Sequence, residues 1–384
     1  MKKYFSFISI ILCVVLACSA CTKKPNMQRP AKEETKKEAS QVKLDMLRPI
    51  AYSDVDGLSL EPGSYISIIG RYSDDSYWKE VENGAKKAIS DLNSMLGYKG
   101  DDKIKLTYCA PEIRDDVNEQ VSILDEELDR YPIAIGIAAV DTTACMIQFD
   151  LAAENGIPIV TFDSGSDYQQ IASHIATDNP AASATAAAQL AHAMEEQGEV
   201  AIFVQDSVSM TAKKRLQGFL DTITADFPNI SVASTYHLDQ LETMQETIAT
   251  ERNATLAEGE EAITPENITQ EDVVKYILEK NPNIKGIYTT NLDTTQLVAK
   301  VLNNLERKDL KFVGFDGGEE QMELLENGML EGLVIQNPYA MGYATVVAAA
   351  RTALGLGNES YVNSGYAWVT KENMTSDEIK GLLY

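Results

Sequence analysis

Acceptor-rich side chains recur at the ends of apolar runs in this sequence: Asp75, Asp163, Asp178 or Asn179, Asn291, Asp316 and Gln336. Carboxylates only accept hydrogen bonds, whereas Asn and Gln amides both donate and accept. A polyol presents vicinal hydroxyls that do both, so this set suits the capture of a sugar or similar ligand. Bonds to the charged members are the stronger ones. Tyr77 and Trp78 add flat apolar surface on which the C–H face of a ring can lie with little entropy lost. Lys213 and Arg215, at the start of a helix in the second half, supply donors or balance the carboxylates. Catalysis has less support, because the chain has no GxSxG elbow, no glycine-rich phosphate loop, no HExxH and no GxGxxG after its first strand. Asp163 and Asp316 could in principle be the acid and base of a glycoside hydrolase, but nothing in the sequence sets the raised pKa or the separation that this requires. His174, His192 and His237 are scattered, and no Cys/His cluster has metal-ligand spacing, so neither metal nor cofactor is expected. A strand-end Asp taken alone also serves as a helix cap or turn former. Tyr77 and Trp78 equally suit helix packing, and Arg215 an acidic neighbour. The combination across both halves of the chain is what points to a ligand.

Apolar strands must position these residues. Residues 157–179, IPIVTFDSGSDYQQIASHIATDN, read as a buried strand ending in Asp163, Ser164 and Gly165, a short helix, and a second strand ending in Asp178 and Asn179. Before it, SYISIIG (64–70), KIKLTYCA (103–110) and IAIGIAAV (133–140) are strands that alternate with helices. In the first of these helices Trp78, Val81, Ala85, Ala88 and Ile89 recur at helical spacing, which leaves Asp75 in the preceding turn. After it the pattern repeats, with EVAIFVQD, ISVASTYHL, IKGIYTTN (284–291), DLKFVGFDG (309–317) and EGLVIQNP (331–338) as strands and a long apolar helix to follow. Such a βαβ series predicts an α/β chain of two Rossmann-like lobes, each with a parallel sheet covered on both faces. Ligands then bind beyond the carboxyl ends of the strands. The polar run at residues 249–272 reads as an acidic, exposed surface insertion.

A chain of 384 residues with 44% apolar content is long enough for two such cores. Its formal net charge of −25 excludes nucleic acid as a partner, since the Lys and Arg residues are dispersed and form no basic groove. The first residues, MKKYFSFISIILCVVLACSAC, carry a basic tip, an apolar run too short to span a bilayer comfortably, and then small residues. This is an export signal whose end resembles the lipobox of bacterial lipoproteins. Cys18, preceded by Val15, Leu16 and Ala17, fits the acylated position better than the alternative, Cys21. Residues 1–21 are therefore the signal and 22–60 a flexible tether rich in Lys, Glu, Gln and Pro. Two acyl chains would hold the protein on the extracytoplasmic face of the cell membrane without a transmembrane helix. Cys109 and Cys145 either pair in that oxidising setting or remain separate buried thiols.

From about Ser64 onward the chain resembles the periplasmic-binding-protein type I domain, in particular the ribose and galactose group of ABC-transporter substrate-binding proteins. The resemblance lies in the order of DSYWKEVENGAKKA, IPIVTFDS, HIATDNPAASATAAAQLA, KKRLQGF, IYTTN, FVGFDG and VIQNPYAMG. It implies lobes that close on a ligand like a hinged clamp, with three crossings near Thr177–Asp178, Gln336–Asn337 and Tyr366–Ala367. The first lobe would be 61–177 with 337–366, and the second 178–336 with 367–384. The family's turn Asn falls on Asp75 and its aromatic pair on Tyr77 and Trp78. Its sugar-contacting Asp falls on Asp163, its second-lobe Asn on Asn291, the Asp of VGFDG on Asp316 and the crossover Gln on Gln336. Ser164 stands where ribose-type proteins carry Arg, and their second-lobe Arg is matched by Lys213 or by Arg215 two positions on. Losing an Arg fork and gaining a carboxylate at Asp75 makes the site more acidic than a ribose site. The resemblance implies a monomeric, non-catalytic receptor of a monosaccharide or another small polar ligand. It would deliver that ligand to an ABC permease or present it to a membrane sensor kinase. DNA-binding repressors share the fold but need an N-terminal helix-turn-helix, which this chain replaces with a signal and tether.

Overall fold

The computed structural model describes residues 39–257, 261–305, 307 and 309–384, so Cys18 and Cys21 lie outside the described residues. Short runs of Ile, Val, Phe and Ala build two six-stranded sheets. The first contains β1 (Tyr65–Ile69), β2 (Lys105–Cys109), β3 (Ala134–Ile137), β4 (Ile159–Phe162), β5 (His174–Ala176) and β11 (Tyr361–Asn363), in the order β2-β1-β3-β4-β5-β11. The second contains β6 (Gly198–Val204), β7 (Ile230–His237), β8 (Ile284–Thr289), β9 (Lys311–Phe315), β10 (Gly332–Gln336) and β12 (Tyr366–Val369), in the order β7-β6-β8-β9-β10-β12. All pairings are parallel except that of β12 with β10. The central strands β3, β4 and β10 are buried along their whole length, because helices cover both faces. In each lobe the strand order reverses at the first strand, which opens a crevice at the carboxyl edge. Among the described residues no helix is long and apolar enough to cross a membrane.

One helix pair shows how tight the first core is. Helix Ser76–Leu96 lies against helix Pro338–Ala353 so closely that a Cβ on Gly84 would sit 1.9 Å from the Tyr339 carbonyl oxygen. A Cβ on Gly342 would sit equally close to that of Val81. The two lobes are joined by three crossings. Two fall at Thr177–Asp178 and Gln336–Asn337, and the third at Ser364–Gly365 rather than at Tyr366–Ala367. Gly365, with φ of 84°, makes the turn there, and Tyr366 already pairs with Gln336 in the second sheet. The crossings are bonded to one another. Thr177 Oγ1 donates to Gln336 Oε1 at 2.8 Å, Asn337 Nδ2 donates to the Ser364 carbonyl at 3.1 Å, and the Ser364 amide donates to the Ala176 carbonyl at 2.9 Å.

Two expectations are corrected, and of the two alternatives for Cys109 and Cys145 one falls. A tether extending to residue 60 does not fit, because Leu44, Leu47, Tyr52, Val55, Leu58 and Leu60 are buried in the core of the first lobe. In this segment Arg48 forms an antiparallel bridge with Asn363, and the Lys43 carbonyl accepts from Asn337 Nδ2 at 2.8 Å. Those six apolar residues, sparse among polar ones, were enough to dock the segment. The insertion at 249–272 is smaller than its composition suggests. Helix Leu241–Asn253 enters it with Ile248 and Ala249 buried, and helix Gln270–Lys280 begins within it. Asn253 closes the loop between them, accepting from the Ile263 amide at 2.7 Å and donating to its carbonyl at 2.9 Å. Cys109 and Cys145 are free thiols, pushed up to about 11 and about 12 chiefly by burial, so the disulfide alternative falls.

The docked segment is testable. Leu47 is fully buried, so Leu47→Ala should destabilise the protein by about 2–5 kcal/mol in denaturant titration. A residue in a solvated tether would change stability by less than about 0.5 kcal/mol.

Candidate functional site

The carboxyl edges of the two sheets face one another across a cleft. Each sheet ends a buried strand there in an aspartate with left-handed backbone: Asp163 after β4 with φ of 52°, and Asp316 after β9 with φ of 75°. Aspartate tolerates this region better than most residues, and the turn aims its side chain off the sheet edge. Both residues are buried and line the cleft. Asp163 Oδ1 accepts from the Tyr77 hydroxyl at 2.8 Å. Burial pushes its carboxyl up, while Arg215 and Arg71 draw it back and Asp316 adds to the rise. Asp316 is held more fully. Its Oδ2 accepts from the Leu292 amide at 2.9 Å, and its Oδ1 accepts from Gln336 Nε2 at 2.7 Å and from the Tyr384 hydroxyl at 3.2 Å.

Helix starts position the next group. Asp75 caps helix Ser76–Leu96, Oδ1 accepting from the Trp78 amide at 2.8 Å, while its Oδ2 takes Arg114 Nη2 at 2.9 Å. Its added charge relative to an asparagine is therefore spent on an arginine. Asn291 caps helix Leu292–Asn304 through the Thr294 amide and donates from Nδ2 to Asp293 at 3.0 Å. Tyr77 packs edge-on against Trp78 and Tyr384, with centroids 5.1 and 5.4 Å apart, and Trp78 meets Phe162 at 6.3 Å. Capping and packing, the bland alternatives for these residues, are both real, and the same residues still line the cleft.

The second-lobe helix Met210–Asp226 places Lys213 and Arg215 differently. It buries Thr211, Ala212, Arg215 and Gly218, the spacing of one helical face. Arg215 therefore points inward, where Nε donates to Asn179 Oδ1 and Nη1 to the Thr290 carbonyl, both at 2.7 Å, with the guanidinium 4.4 Å from the Phe315 ring centre. Lys213 is exposed and does not line the cleft. Nor does Ser164, which is fully buried with its hydroxyl unpartnered and its carbonyl accepting from Ala139. Asp178 caps helix Asn179–Ala193 beside the first crossing.

Sequence reasoning missed several lining residues. Arg71 and Arg114 follow β1 and β2 at the same carboxyl edge as Asp163, so the strand-end rule could have found them, as it could Gln205 after β6. Asp115 and Asp293 stand beside residues already singled out or found by that rule. Tyr384 had no local signal, because it reaches Asp316 from 68 positions away. The lining includes the aspartates 75, 115, 163, 293 and 316 against the arginines 71, 114 and 215, and each arginine already has protein partners. The cleft thus brings five carboxylates together with three arginines that are all hydrogen-bonded within the protein, Arg71 and Arg114 to carboxylates and Arg215 to neutral oxygens. No group of His, Cys, Asp and Glu suited to a metal ion occurs among the described residues.

Residues 66–357 match the family described as periplasmic binding protein domain. Over 287 residues the chain is 24% identical to the D-apiose import binding protein of Actinobacillus succinogenes, covering 74% of this chain and 80% of that protein. It is 20% identical over 215 residues to the ribose import binding protein RbsB of Escherichia coli, a match that spans 56% of this chain and only 64% of the relative's length. Among solved structures, a carbohydrate transporter solute binding protein from Agrobacterium radiobacter in complex with D-arabinose superposes with a TM-score of 0.66 at 29% identity. That match covers 84% of this chain and 99% of the other. A solute binding protein from Agrobacterium vitis with bound D-fucose gives a TM-score of 0.68 at 24% identity, covering 84% and 100%.

Gln336 joins the cleft to the hinge, since its amide bonds both Asp316 and Thr177. Gln336→Leu should orphan the Thr177 hydroxyl and strip one of three hydrogen bonds from Asp316, at a cost of about 1–3 kcal/mol for the orphaned group, read as a lowered denaturation midpoint with an unchanged m-value.

Proposed function

The chain belongs to the periplasmic binding protein domain family, and from that premise we propose that its cleft captures a neutral monosaccharide between closing lobes and delivers it to an ABC importer. One observation carries the choice of ligand: two strand-end aspartates, Asp163 and Asp316, face a cleft whose arginines are all engaged by the protein itself. Vicinal hydroxyls satisfy carboxylates without bringing charge into the site. The aromatic side chains of Tyr77 and Trp78 give the ring an apolar wall. An acidic sugar or a phosphorylated one would meet repulsion from a lining with five aspartates and three arginines. The bound states of the Agrobacterium proteins, with D-arabinose and D-fucose, support the same class of ligand. The protein works as a monomer held to the membrane face by acylation at Cys18, or at Cys21 in its place, with the export signal removed.

A thermal-shift panel of neutral pentoses and hexoses, uronic acids, nucleosides and amino acids tests the reading, followed by calorimetry on any hit. A ligand that binds only the folded state adds about 2.7 kcal/mol at a hundred times its Kd. Neutral sugars should raise the melting temperature and uronic acids should not. A panel in which only nucleosides or amino acids stabilise would overturn the sugar assignment. Asp316→Asn keeps the shape and removes the charge, so sugar affinity should fall by roughly ten- to hundredfold, the equivalent of about 1.5–3 kcal/mol for a hydrogen bond to a charged group. Unchanged affinity in calorimetry would remove Asp316 from the site.

A further inference from the structure

Two arginines of the first lobe reach across the cleft, each from a carboxylate of its own lobe to one of the other. Arg71, beyond the end of β1, donates from Nε to Asp115 Oδ1 at 2.7 Å, while its Nη2 lies 3.5 Å from Asp206 Oδ2 in the second lobe. Arg114, beyond the end of β2, bonds Asp75 at 2.9 Å through Nη2, and its Nη1 lies 3.8 Å from Asp293 of the second lobe. The facing aspartates are themselves fixed. Asp206 accepts from the amides of Val208 and Ser209 and from the Ser209 hydroxyl, and Asp293 accepts from Asn291 Nδ2. Arg114 is further steadied against the Tyr72 ring, 4.4 Å from its centre.

We propose that Arg71 and Arg114 are positioning residues for ligand capture: each is held by its own lobe and gains a second carboxylate, Asp206 or Asp293, only when the lobes close. A guanidinium presents its donors as a planar fork, so one prong can stay at home while the other engages a new partner. Because all four contact groups are ordered before contact, closure freezes few additional rotamers, and ordering is what usually cancels the gain from an ion pair. The two latches differ in wetness. The side chains of Arg71 and Asp206 are 7% and 14% exposed, whereas those of Arg114 and Asp293 are 35% and 36% exposed. The drier pair is the less screened. The latches bias the open–closed equilibrium through lobe-to-lobe contacts, so they set how much of the ligand's binding energy closure consumes.

Two consequences separate this device from simple structural support. The lobes should close partly without ligand, in a salt-sensitive way. The affinity for an uncharged sugar should also depend on salt, which direct contacts to a neutral ligand would not require. Only the second consequence rests on the capture reading above.

The test is hydrogen exchange with mass spectrometry on the ligand-free full chain at about 0.01 M and about 1 M salt, where the screening length is roughly 30 Å and about 3 Å. The wild type should exchange faster at high salt in the cleft-facing segments 70–78, 205–211 and 290–294, with the amides of β1 and β8 unchanged as a folding control. Asp206→Asn combined with Asp293→Asn should exchange fast there at both salts, and Asp206→Glu with Asp293→Glu should restore the salt response. Equal exchange of those segments at both salts and in the double Asn variant would overturn the latches, whether or not any sugar binds. With a neutral sugar in calorimetry, the double Asn variant should show a Kd roughly two- to tenfold higher at low salt, as expected for two modest ion pairs, and the wild type should approach that value at high salt. If the panel finds no sugar, the capture reading fails on its own and the exchange result still decides the latches.

Discussion

The amide of Gln336 is the interaction on which the arrangement of hinge and cleft depends. It accepts from Thr177 in the first crossing and donates to Asp316, the second lobe's strand-end carboxylate. A buried amide has two faces to satisfy, and leaving either unmet costs about as much as a lost hydrogen bond plus desolvation. The side chain therefore fixes the relation between a crossing strand and a carboxylate that lines the cleft. Asn337, the next residue, repeats the device one step deeper by bonding the third crossing at Ser364 and the docked segment at Lys43. Two adjacent amides thus gather the hinge, the cleft and residues 39–60 into one network.

That network explains why the extra N-terminal residues matter to the fold. Their apolar side chains fill the first core, Arg48 adds a bridge at the edge strand β11, and Met46 packs against the core of the second lobe. A segment that touches both lobes beside the three crossings behaves as part of the hinge. Gly365 lies close against it, since a Cβ there would sit 2.9 Å from Met46 Cβ. The family match begins at residue 66, beyond this brace.

In the cleft, Arg71 and Arg114 are paired with carboxylates, and the buried Arg215 is held by the neutral oxygens of Asn179 and Thr290, hydrogen bonds that lower the cost of a buried ion. Asp75, Asp115, Asp206 and Asp293 are within ion-pair distance of guanidinium groups, whereas Asp163 and Asp316 line the cleft without one. Burial and mutual repulsion raise the Asp163 carboxyl, while Arg215 and Arg71 work against that rise from opposite lobes. The acidic balance read from composition thus has a local counterpart, in which arginines are bonded into the scaffold and Asp163 and Asp316 line the cleft.

Periodicity made the alternation of strands and helices, the two-lobed architecture and the strand-end positions legible, because buried parallel strands and amphipathic helices leave local signatures. Eight of the candidate residues line the cleft for that reason: Asp75, Tyr77, Trp78, Asp163, Arg215, Asn291, Asp316 and Gln336. Helical phase would also have separated Arg215 from Lys213 had it been applied to the burial of Thr211 and Gly218. What the chain concealed were relations between distant residues. Tyr384 on Asp316, Arg71 opposite Asp206, and Leu47 in a core that its composition disguised as tether all join segments whose sequences carry no mark of each other. By itself the sequence determined which residues could bind polyols and on which strand ends they stand, since those follow from local pattern. Only the tertiary structure decided which cleft carboxylates stay clear of a guanidinium, because that depends on where each arginine's fork lands after the lobes have met.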